Sequence, residues 1–562
     1  MPAMAQVSST GNVTPQPVLS PIWNVPAGTI VVGDISAGSL AIIGNSQVAS
    51  ADGTVGNASG VTGSVLIQGP LASWSITDYL DVGLDGNGTI TIGSGGLLES
   101  NFAYVGSNLD SQGTVTIAGV ASRFIVHDTI VVGYDGSAEI VVSAGGYLES
   151  YEADIGRADT GSGTITVTGP GSQWVVGDAL AVGDNGEGHV VIEAGGRVTA
   201  DSAIIADGDD GTGSVTVSGP LSRFEVAGDL EVGERGTGQL TIVGGGVVTA
   251  HFVLVSNVAD SVGNVAVSGA GSRFEATSDI KVGDFGRGTM RVEDGGFVSS
   301  GVGVIGDDLG GEGEVTISGT NSRWDISGSL QVGRGGKGVL TIDADGIVVS
   351  TSASIAHAAG SEGEATVRGA GARWQVTNEL SVGRENSGTL LIENQGTVTS
   401  GNGIVGELAG STGEAVVQGA GASWTMTGDL QVGSAGNGTL AISEGGHVSA
   451  AIAHIAEANT STSSLFIGAA TGQAAASAGT LAATELRFGS GTGTLAFNHT
   501  NAAYVFDTII TGSGAIEHHA GTTTYTGDGS AFNGQTTVAG GTLYVGNASG
   551  GTLGGSVGVQ SG

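Results

Sequence analysis

The sequence lacks cysteine and is poor in proline and in basic residues. It has no Cys, 8 Pro and 16 Lys and Arg among 562 residues, against 53 Asp and Glu, so its formal net charge is −37. The absence of cysteine excludes a disulfide framework. No stretch approaches the roughly 18 apolar residues that a membrane-spanning helix needs. The negative charge opposes binding to phosphate, so we expect no nucleic-acid partner.

Glycine is abundant, and the hydrophobic residues recur at a fixed period. So many glycines, 107 in all, usually indicate low complexity, but 39% of the residues are hydrophobic and they stand at regular positions. A Val-Gly pair follows each aromatic of one column by eight residues, and a second glycine column runs from Gly96 to Gly446. The aromatic column is Trp74, Phe124, Trp174, Phe224, Phe274, Trp324, Trp374 and Trp424. This fifty-residue period predicts stacked repeats rather than several independent domains.

Each fifty-residue unit divides into two related coils. Leu80 and Ala103 are 23 residues apart, Ala103 and Ile130 are 27 apart, and the two offsets sum to the period. Each coil has three short runs of alternating polarity, such as "LDVG", "TITI" and "GLLES", separated by Gly, Asn, Asp and Ser. Alternation indicates half-buried strands, and the separators are typical of turns. The sequence therefore predicts an all-β fold, a right-handed parallel β-helix (solenoid) with three strands per coil and about 17 coils in the repeat region.

The repeat also predicts which side chains fill the interior. We expect each aromatic and the residue two positions on, such as Trp324 and Ile326, to point inward. The matching position of the other coil is aliphatic from Leu98 to Val448, so large and small side chains should alternate along the stack. The glycine columns of Gly83 and Gly96 fall at strand ends, where a corner needs positive φ or no Cβ.

Three regions follow from the position of the repeat. Residues 1–27 read as a leader remnant, because Ala3-Met4-Ala5 fits a signal-peptidase site, followed by an N-terminal cap. The cap holds Pro15, Pro17, Pro21 and Pro26, which disfavour interior strand. Trp23, one residue out of register, is expected to cover the first coil. Residues 28–458 carry the repeats, and residues 459–562 keep alternating in a new rhythm.

No catalytic, cofactor-binding or metal-ligating residue is predicted. The segments "GVGVIG" (301–306) and "GNGIVG" (401–406) match GxGxxG but recur with the repeat, so we interpret them as corners and not as nucleotide sites. The acidic turns at 83–88 and 207–211 are expected to be solvated rather than to bind calcium. The "HH" at 518–519 is expected at the surface.

A row of arginines precedes the inward aromatics and should point outward. It comprises Arg123, Arg223, Arg273, Arg323 and Arg373. Two interpretations stay open: charge balance along an acidic surface, or contact with a polyanion or with carboxylates of a partner.

The fifty-residue unit resembles the repeat of type V secretion (autotransporter) passengers and of some sorting-signal exoproteins. The segments "GTGTLAFNHT" (491–500), "ITGSGAIEHHAGTTTYTGD" (510–528) and "FNGQTTVAGGTLYVG" (532–546) resemble the passenger-associated transport repeat of autotransporters. This resemblance implies export through the periplasm and outer membrane to the bacterial surface or the medium. It also implies an autochaperone-like role for residues 459–562 and an outer-membrane β-barrel translocator as partner. Because that barrel is not in this sequence, we expect a fragment or a processed product.

The function expected from these features is non-enzymatic binding. We predict an adhesion virulence factor that contacts a host cell-surface protein or glycan, or that mediates bacterial self-association. One alternative is a released effector that binds a host receptor, and another is a polysaccharide-degrading β-helix enzyme. No serine-protease motif of the "GDSG" type is present.

Overall fold

The structure is a computed structural model that describes residues 6–18, 20–546 and 550–560. The expected leader remnant at residues 1–5 lies outside the described residues. The chain forms two compact units, residues 1–278 and residues 279–562. Both units are built from strands and contain no helix in their described residues, which confirms the predicted all-β class.

Every turn of the first unit has a long strand followed by two short strands, and each strand pairs in parallel with its equivalent one turn away. The long strands are Gly38–Ile43, Thr62–Gln68, Asn87–Gly93, Gln112–Ala118, Ser137–Ser143, Ser162–Thr168, Glu187–Glu193, Thr212–Ser218, Thr237–Val243 and Val262–Ser268. The second strands are Ser73–Ile76, Leu97–Ser100, Gln173–Val176, Arg197–Ala200, Arg223–Val226, Val247–Ala250 and Arg273–Ala276. The third strands are Tyr79–Val82, Phe102–Val105, Ala179–Val182, Ser202–Ile205, Asp229–Val232 and Phe252–Val255. In four turns the second and third strands are continuous, as Ile22–Val32, Gln47–Val55, Arg123–Val132 and Tyr147–Ile155.

The second unit repeats the same three-strand turn. Its long strands are Arg287–Glu293, Glu312–Ser318, Lys337–Asp343, Glu362–Arg368, Ser387–Glu393, Thr412–Gln418, Asn437–Ser443, Thr462–Gly468, Thr492–Asn498, Ala515–Ala520, Gln535–Val538 and Ser556–Val559. Its second strands are Phe297–Ser300, Arg323–Ile326, Ile347–Ser350, Arg373–Val376, Thr397–Ser400, Ser423–Met426, His447–Ser449, Thr480–Ala482, Tyr504–Phe506, Thr522–Tyr525 and Thr542–Val545. Its third strands are Ile280–Val282, Gly303–Ile305, Ser329–Val332, Ser352–Ile355, Glu379–Val382, Asn402–Val405, Leu430–Val432, Ile452–Ile455, Glu485–Phe488, Ile509–Thr511, Asp528–Gly529 and Thr552–Leu553.

The predicted parallel solenoid with three strands per turn is confirmed, and the predicted register with it. Ala103 pairs with Leu80 on one side and with Ile130 on the other, as the 23- and 27-residue offsets require. The turns number about 21, against the 17 expected for the repeat region. Parallel pairing continues past residue 458, where Thr462 pairs with Thr492, because stacking needs alternating strands and not a constant turn length.

The N-terminal residues add antiparallel strands to the first unit. Gln6–Gly11 pairs with Gly38–Ile43, and Val13–Thr14 pairs with the end of Ile22–Val32. Pro26 does lie within a strand, contrary to expectation, but at a register shift between Val25 and Thr29 where no partner is needed.

Trp23 covers the first coil, as the sequence suggested, and it does so as the first member of the aromatic column. It pairs with Val48, which pairs in turn with Trp74, so Trp23 belongs to the aromatic column. Its side chain is buried. The one-residue offset in sequence is taken up at the register shift of its strand, and the column itself continues unbroken.

The interior matches the predicted alternation of large and small side chains. Leu98 lies between Trp74 and Phe124, and all three are fully buried. The two glycine columns serve different corners: Gly83 has φ +74°, whereas at Gly96 a Cβ would stand 2.6 Å from the carbonyl oxygen of Ile67.

Four tryptophans donate a hydrogen bond to a buried serine of the preceding turn, 24 residues earlier. The Nε1–Oγ distances are 3.0 Å for Trp74 and Ser50, 3.4 Å for Trp174 and Ser150, 3.1 Å for Trp324 and Ser300, and 3.1 Å for Trp424 and Ser400. These bonds satisfy an indole N–H that would otherwise be buried without a partner.

Candidate binding face

The third strand of each turn and the corner after it form a surface that we call the third-strand face, polar at most corners and mixed along the strands. Its members are the outward residue at the centre of each third strand and the residue that follows the Val-Gly pair. Asp81 points outward because its neighbours Leu80 and Val82 are buried in the core. Ser107, from the corner of the next turn, donates a hydrogen bond of 3.0 Å to Asp81.

Several side chains of this face are buried although they point away from the core. Ser354 and Ser381 are less than one-tenth exposed. A corner side chain lies against each: His357 Nδ1 is 2.8 Å from Ser354 Oγ, and Ser381 donates a hydrogen bond of 2.7 Å to Glu407. Parts of the third-strand face are therefore recessed, and ionisable groups there lose part of their hydration.

Acidic groups dominate this face in the first unit. Burial, a hydrogen bond with Asp207 and the charge of that carboxylate raise the pKa of Glu234 to about 7, from an ordinary 4.5. Burial also raises the pKa of Asp154, Asp184 and Glu231, with neighbouring acids adding to the shift. These carboxyl groups of the third-strand face therefore stay protonated at pH values at which ordinary carboxyl groups are already ionised.

In the second unit the same face carries both signs of charge. Lys281 Nζ lies 2.5 Å from Asp307 Oδ2 and 3.4 Å from Asp284 Oδ1, and Arg334 lies 2.9 Å from the other oxygen of Asp307. Burial and the hydrogen bond with Asp307 raise the pKa of Asp284 to about 7. Asp284, Asp307 and Asp308 could offer carboxylate oxygens within 4.8 Å of one another to a cation. Lys281 and Arg334 already supply positive charge there, so this cluster is stabilised by the chain itself.

Carboxyl groups with a pKa near 7 can donate a proton at neutral pH. A substrate would also need a cavity beside them. The shallow groove of about 270 Å³ lined by Arg287, Thr289 and Glu312 lies instead at the start of the long strands, where Arg287 and Glu312 are paired at 3.0 Å. This groove therefore does not contain Glu234 or Asp284, the carboxyl groups whose pKa is raised to about 7.

An aromatic cluster interrupts the third-strand face of the first unit. The rings of Tyr79 and Phe102 are stacked with centroids 5.1 Å apart, and Tyr104 stacks on Tyr79 at 6.3 Å. Tyr134 meets Tyr104 edge-on at 6.4 Å, and Arg157 lies over the Tyr134 ring at 5.6 Å. Sequence reasoning missed this cluster, because its members come from three successive turns and meet only when the 23- and 27-residue register is applied.

The two GxGxxG segments form third strands and corners, as interpreted from the sequence. In the segment 301–306, Gly303–Ile305 is a strand, and Gly306 has φ +70°. Gly303 has a second role, since a Cβ there would stand 2.7 Å from the indole of Trp324. The glycines thus serve packing and turning within the solenoid.

The acidic turns at 83–88 and 207–211 are only partly solvated, whereas full solvation was expected. Asp209 and Asp210 are exposed, whereas Asp207 is half-buried and bonded to Glu234. In the turn 83–88, Asp85 accepts a hydrogen bond of 2.8 Å from Asn108.

The expectation that both histidines at 518–519 lie at the surface is wrong for His518. The strand Ala515–Ala520 alternates, so His518 points inward and is fully buried while His519 points out. His518 Nε2 and the buried His499 Nε2 lie 3.1 and 2.7 Å from the same hydroxyl, Thr523 Oγ1. Burial lowers the pKa of both imidazoles.

The arginine row is exposed or half-exposed, and several of its members are paired with acids of the chain. Arg123 lies 4.0 Å from Glu149, and Arg323 lies 2.5 Å from Asp325. The structure thus favours charge balance over a free polyanion-binding row.

Comparisons with known proteins find limited similarity. No family model matches the sequence. Over 88 residues the chain is 44% identical to the uncharacterised lipoprotein YdeK of Escherichia coli strain K12, a match that covers 14% of this chain and 7% of that protein. The chain therefore matches a small part of that relative's length. A crystal structure of a TibC-catalysed, hyper-glycosylated TibA fragment is similar over 62% of this chain and 92% of the fragment, with a TM-score of 0.26 and 18% identity.

These similarities do not show a family, so membership of the autotransporter passengers stays a prediction. The described part of the chain has no helix with the length and apolarity needed to cross a membrane.

Proposed function

We propose that the chain is a secreted or surface-displayed passenger that binds other cells without chemical conversion of a ligand. The observation that carries this proposal is the third-strand face, where a polar or charged corner side chain recurs in most turns. Contacts such as Ser107 to Asp81 and Ser381 to Glu407 show the same two positions meeting in both units. A surface with many similar contact positions favours multivalent attachment, in which weak contacts act together.

Attachment to host cells or between bacteria is the role that this surface supports best. Its acidity favours partners with positive charge and keeps copies of the chain soluble. Export to the bacterial surface accords with the absence of cysteine and with the resemblance of the repeat to autotransporter passengers.

The test is attachment of bacteria that display the chain, with purified chain as competitor. We expect displaying cells to adhere to host cells or to settle together, and purified chain to block that effect. Unchanged attachment and settling in displaying cells would contradict the proposal. Release of reducing sugars from polysaccharides by purified chain would favour the enzyme instead.

A released effector is a second candidate, and the aromatic cluster is the observation that favours it. Tyr79, Phe102, Tyr104 and Tyr134 form one local patch rather than a repeated feature. Purified chain that provokes a host-cell response without bacteria would support this candidate.

A further inference from the structure

The aromatic cluster occupies positions that the rest of the solenoid fills otherwise. Fifty residues after Tyr79 stands Thr129, and fifty after Tyr104 stands Asp154. A side chain required for stacking should recur from turn to turn, because each turn contacts only its neighbours. The four rings are therefore not part of the repeating pattern of the solenoid.

Part of the cluster is open to solvent. Tyr79 is 42% exposed and Tyr134 is 37% exposed. The rings are held in place by parallel register, since Tyr79 pairs with Phe102 and Asp81 pairs with Tyr104. A partner would meet a surface that is already ordered, which lowers the entropic cost of binding.

The part of the sequence before Arg123, which includes Tyr79, carries charge of one sign. No Lys, Arg or His precedes Arg123, whereas seven acids do. They are Asp34, Asp52, Asp78, Asp81, Asp85, Glu99 and Asp110. Burial raises the pKa of Asp81, and the charge of Asp52 raises it further. In the described residues, no basic side chain forms an ion pair with either carboxylate.

At the Tyr134 end of the aromatic cluster, a cation of the chain already contacts a ring. There Arg157 of the chain lies over Tyr134 and also acts on Tyr104 through its charge. A cation near an aromatic ring is stabilised by the ring's quadrupole, and a nearby carboxylate adds to that attraction. Tyr79 has neighbouring rings and carboxylates, and among the described residues no cation of the chain lies over its ring.

We propose that Tyr79, Phe102 and Tyr104, with Asp52 and Asp81, form a subsite for a cationic side chain of a partner protein. The proposal rests on the proposed binding function and specifies its partner: a protein that presents a lysine ammonium or an arginine guanidinium. The surrounding acids speed the approach of such a partner by electrostatic steering. A neutral saccharide could also stack on the rings and donate hydroxyl hydrogen bonds to the carboxylates, but it brings no positive charge to offset theirs.

The probe for this subsite is Nα-acetyl-trimethyllysine methylamide, observed by saturation-transfer NMR with the full chain. Its neutral control is the same molecule with a tert-butyl group in place of trimethylammonium, and methyl glucoside serves as the saccharide control. We expect saturation of the trimethyl signal and weaker saturation of both controls. Equal saturation of the neutral analogue, or saturation of the glucoside alone, would overturn the subsite.

Variants locate the binding. Tyr79→Ala and Phe102→Leu should weaken probe binding about two- to fivefold each, the range of an exposed cation–π contact. Tyr151→Ala is the matched control, because Tyr151 is an exposed tyrosine of the same unit outside the cluster. An equal effect of Tyr151→Ala and Tyr79→Ala would refute the assignment.

The subsite and the proposed function can fail separately. Displaying bacteria that attach although the chain binds no probe would overturn the subsite and leave the adhesion function in place. A chain that binds the probe at Tyr79 but confers no attachment would support the subsite and contradict adhesion.

Discussion

The hydrogen bond between Trp424 and Ser400 gives the sharpest test of how the solenoid core is stabilised. Both residues are almost fully buried, and the indole Nε1 donates to the serine Oγ at 3.1 Å. Ser400→Ala removes the acceptor and leaves a buried N–H without a partner, which costs about 1–3 kcal/mol. The core provides its own control one repeat earlier. In the described part of the chain, neither Trp374 Nε1 nor Ser350 Oγ has a hydrogen-bond partner.

Ser350→Ala should therefore cost far less than Ser400→Ala, although both serines are buried in the same column of the second unit. Because turns contact only their neighbours, the loss should stay local. Native-state hydrogen exchange of the strand Ser423–Met426 measures it directly. We expect protection there to fall by about 5- to 150-fold in Ser400→Ala.

A double variant separates the unpaired N–H from any general effect of the substitution. Adding Trp424→Phe removes the unpaired donor, so its cost in the Ser400→Ala background should be smaller than its cost in the native chain. The chain already has alanine and phenylalanine at the two equivalent positions of another repeat, since Phe224 follows Ala200 by the same 24 residues. Equal losses of protection in Ser350→Ala and Ser400→Ala would refute the reasoning.

Three further predictions concern packing and protonation. Gly53→Ala places a Cβ about 2.7 Å from the indole of Trp74, so it should lower the free energy of local unfolding by ~1–3 kcal/mol. Gly93→Ala is the control, because its Cβ would stand 3.9 Å from the nearest neighbour and should cause no such loss. Hydrogen exchange of the two variants measures the difference. The raised pKa of Glu234 means that its contribution to stability is present below about pH 4.5 and is lost as pH rises through about 7; Glu234→Gln should flatten that part of a pH series of denaturant unfolding. The lowered pKa of buried His518 has the opposite sign, so the protection factors of amides in Ala515–Ala520, corrected for the slower intrinsic exchange at low pH, should fall as pH drops below about 6.5; protection factors that do not change with pH would contradict this.

The register of the solenoid could be predicted from the sequence because it depends only on the spacing between equivalent hydrophobic residues. The offsets of 23 and 27 residues place Leu80, Ala103 and Ile130 in one column, and the structure pairs them so. Membership of Trp23 in the aromatic column was not predicted, because its one-residue offset breaks the period in the sequence, whereas a register shift within its strand compensates for it. The burial of His518 was not predicted, because two adjacent histidines do not show which of them points inward until the bounds of their strand are known.

The third-strand face was harder to predict, since its contacts join residues that are not similar from turn to turn. Lys281, Asp284 and Asp307 come together because the center of a third strand and the next two corners lie side by side. A usable signal existed in the sequence: the residue after each Val-Gly pair is often charged. Column-by-column reading of outward positions would have found it.

The distribution of charge separates what the fold requires from what a partner requires. The turns before Arg123 contain no basic side chain, yet Trp74 and Leu98 are as fully buried there as Trp324 is in a turn rich in charge pairs. Since the core forms equally well with and without bases nearby, folding does not set their placement. Solvent-exposed ion pairs also contribute little to the free energy of folding. The acidic charge of the region around Tyr79 is therefore not a requirement of the fold, and it accords with the cationic partner proposed above.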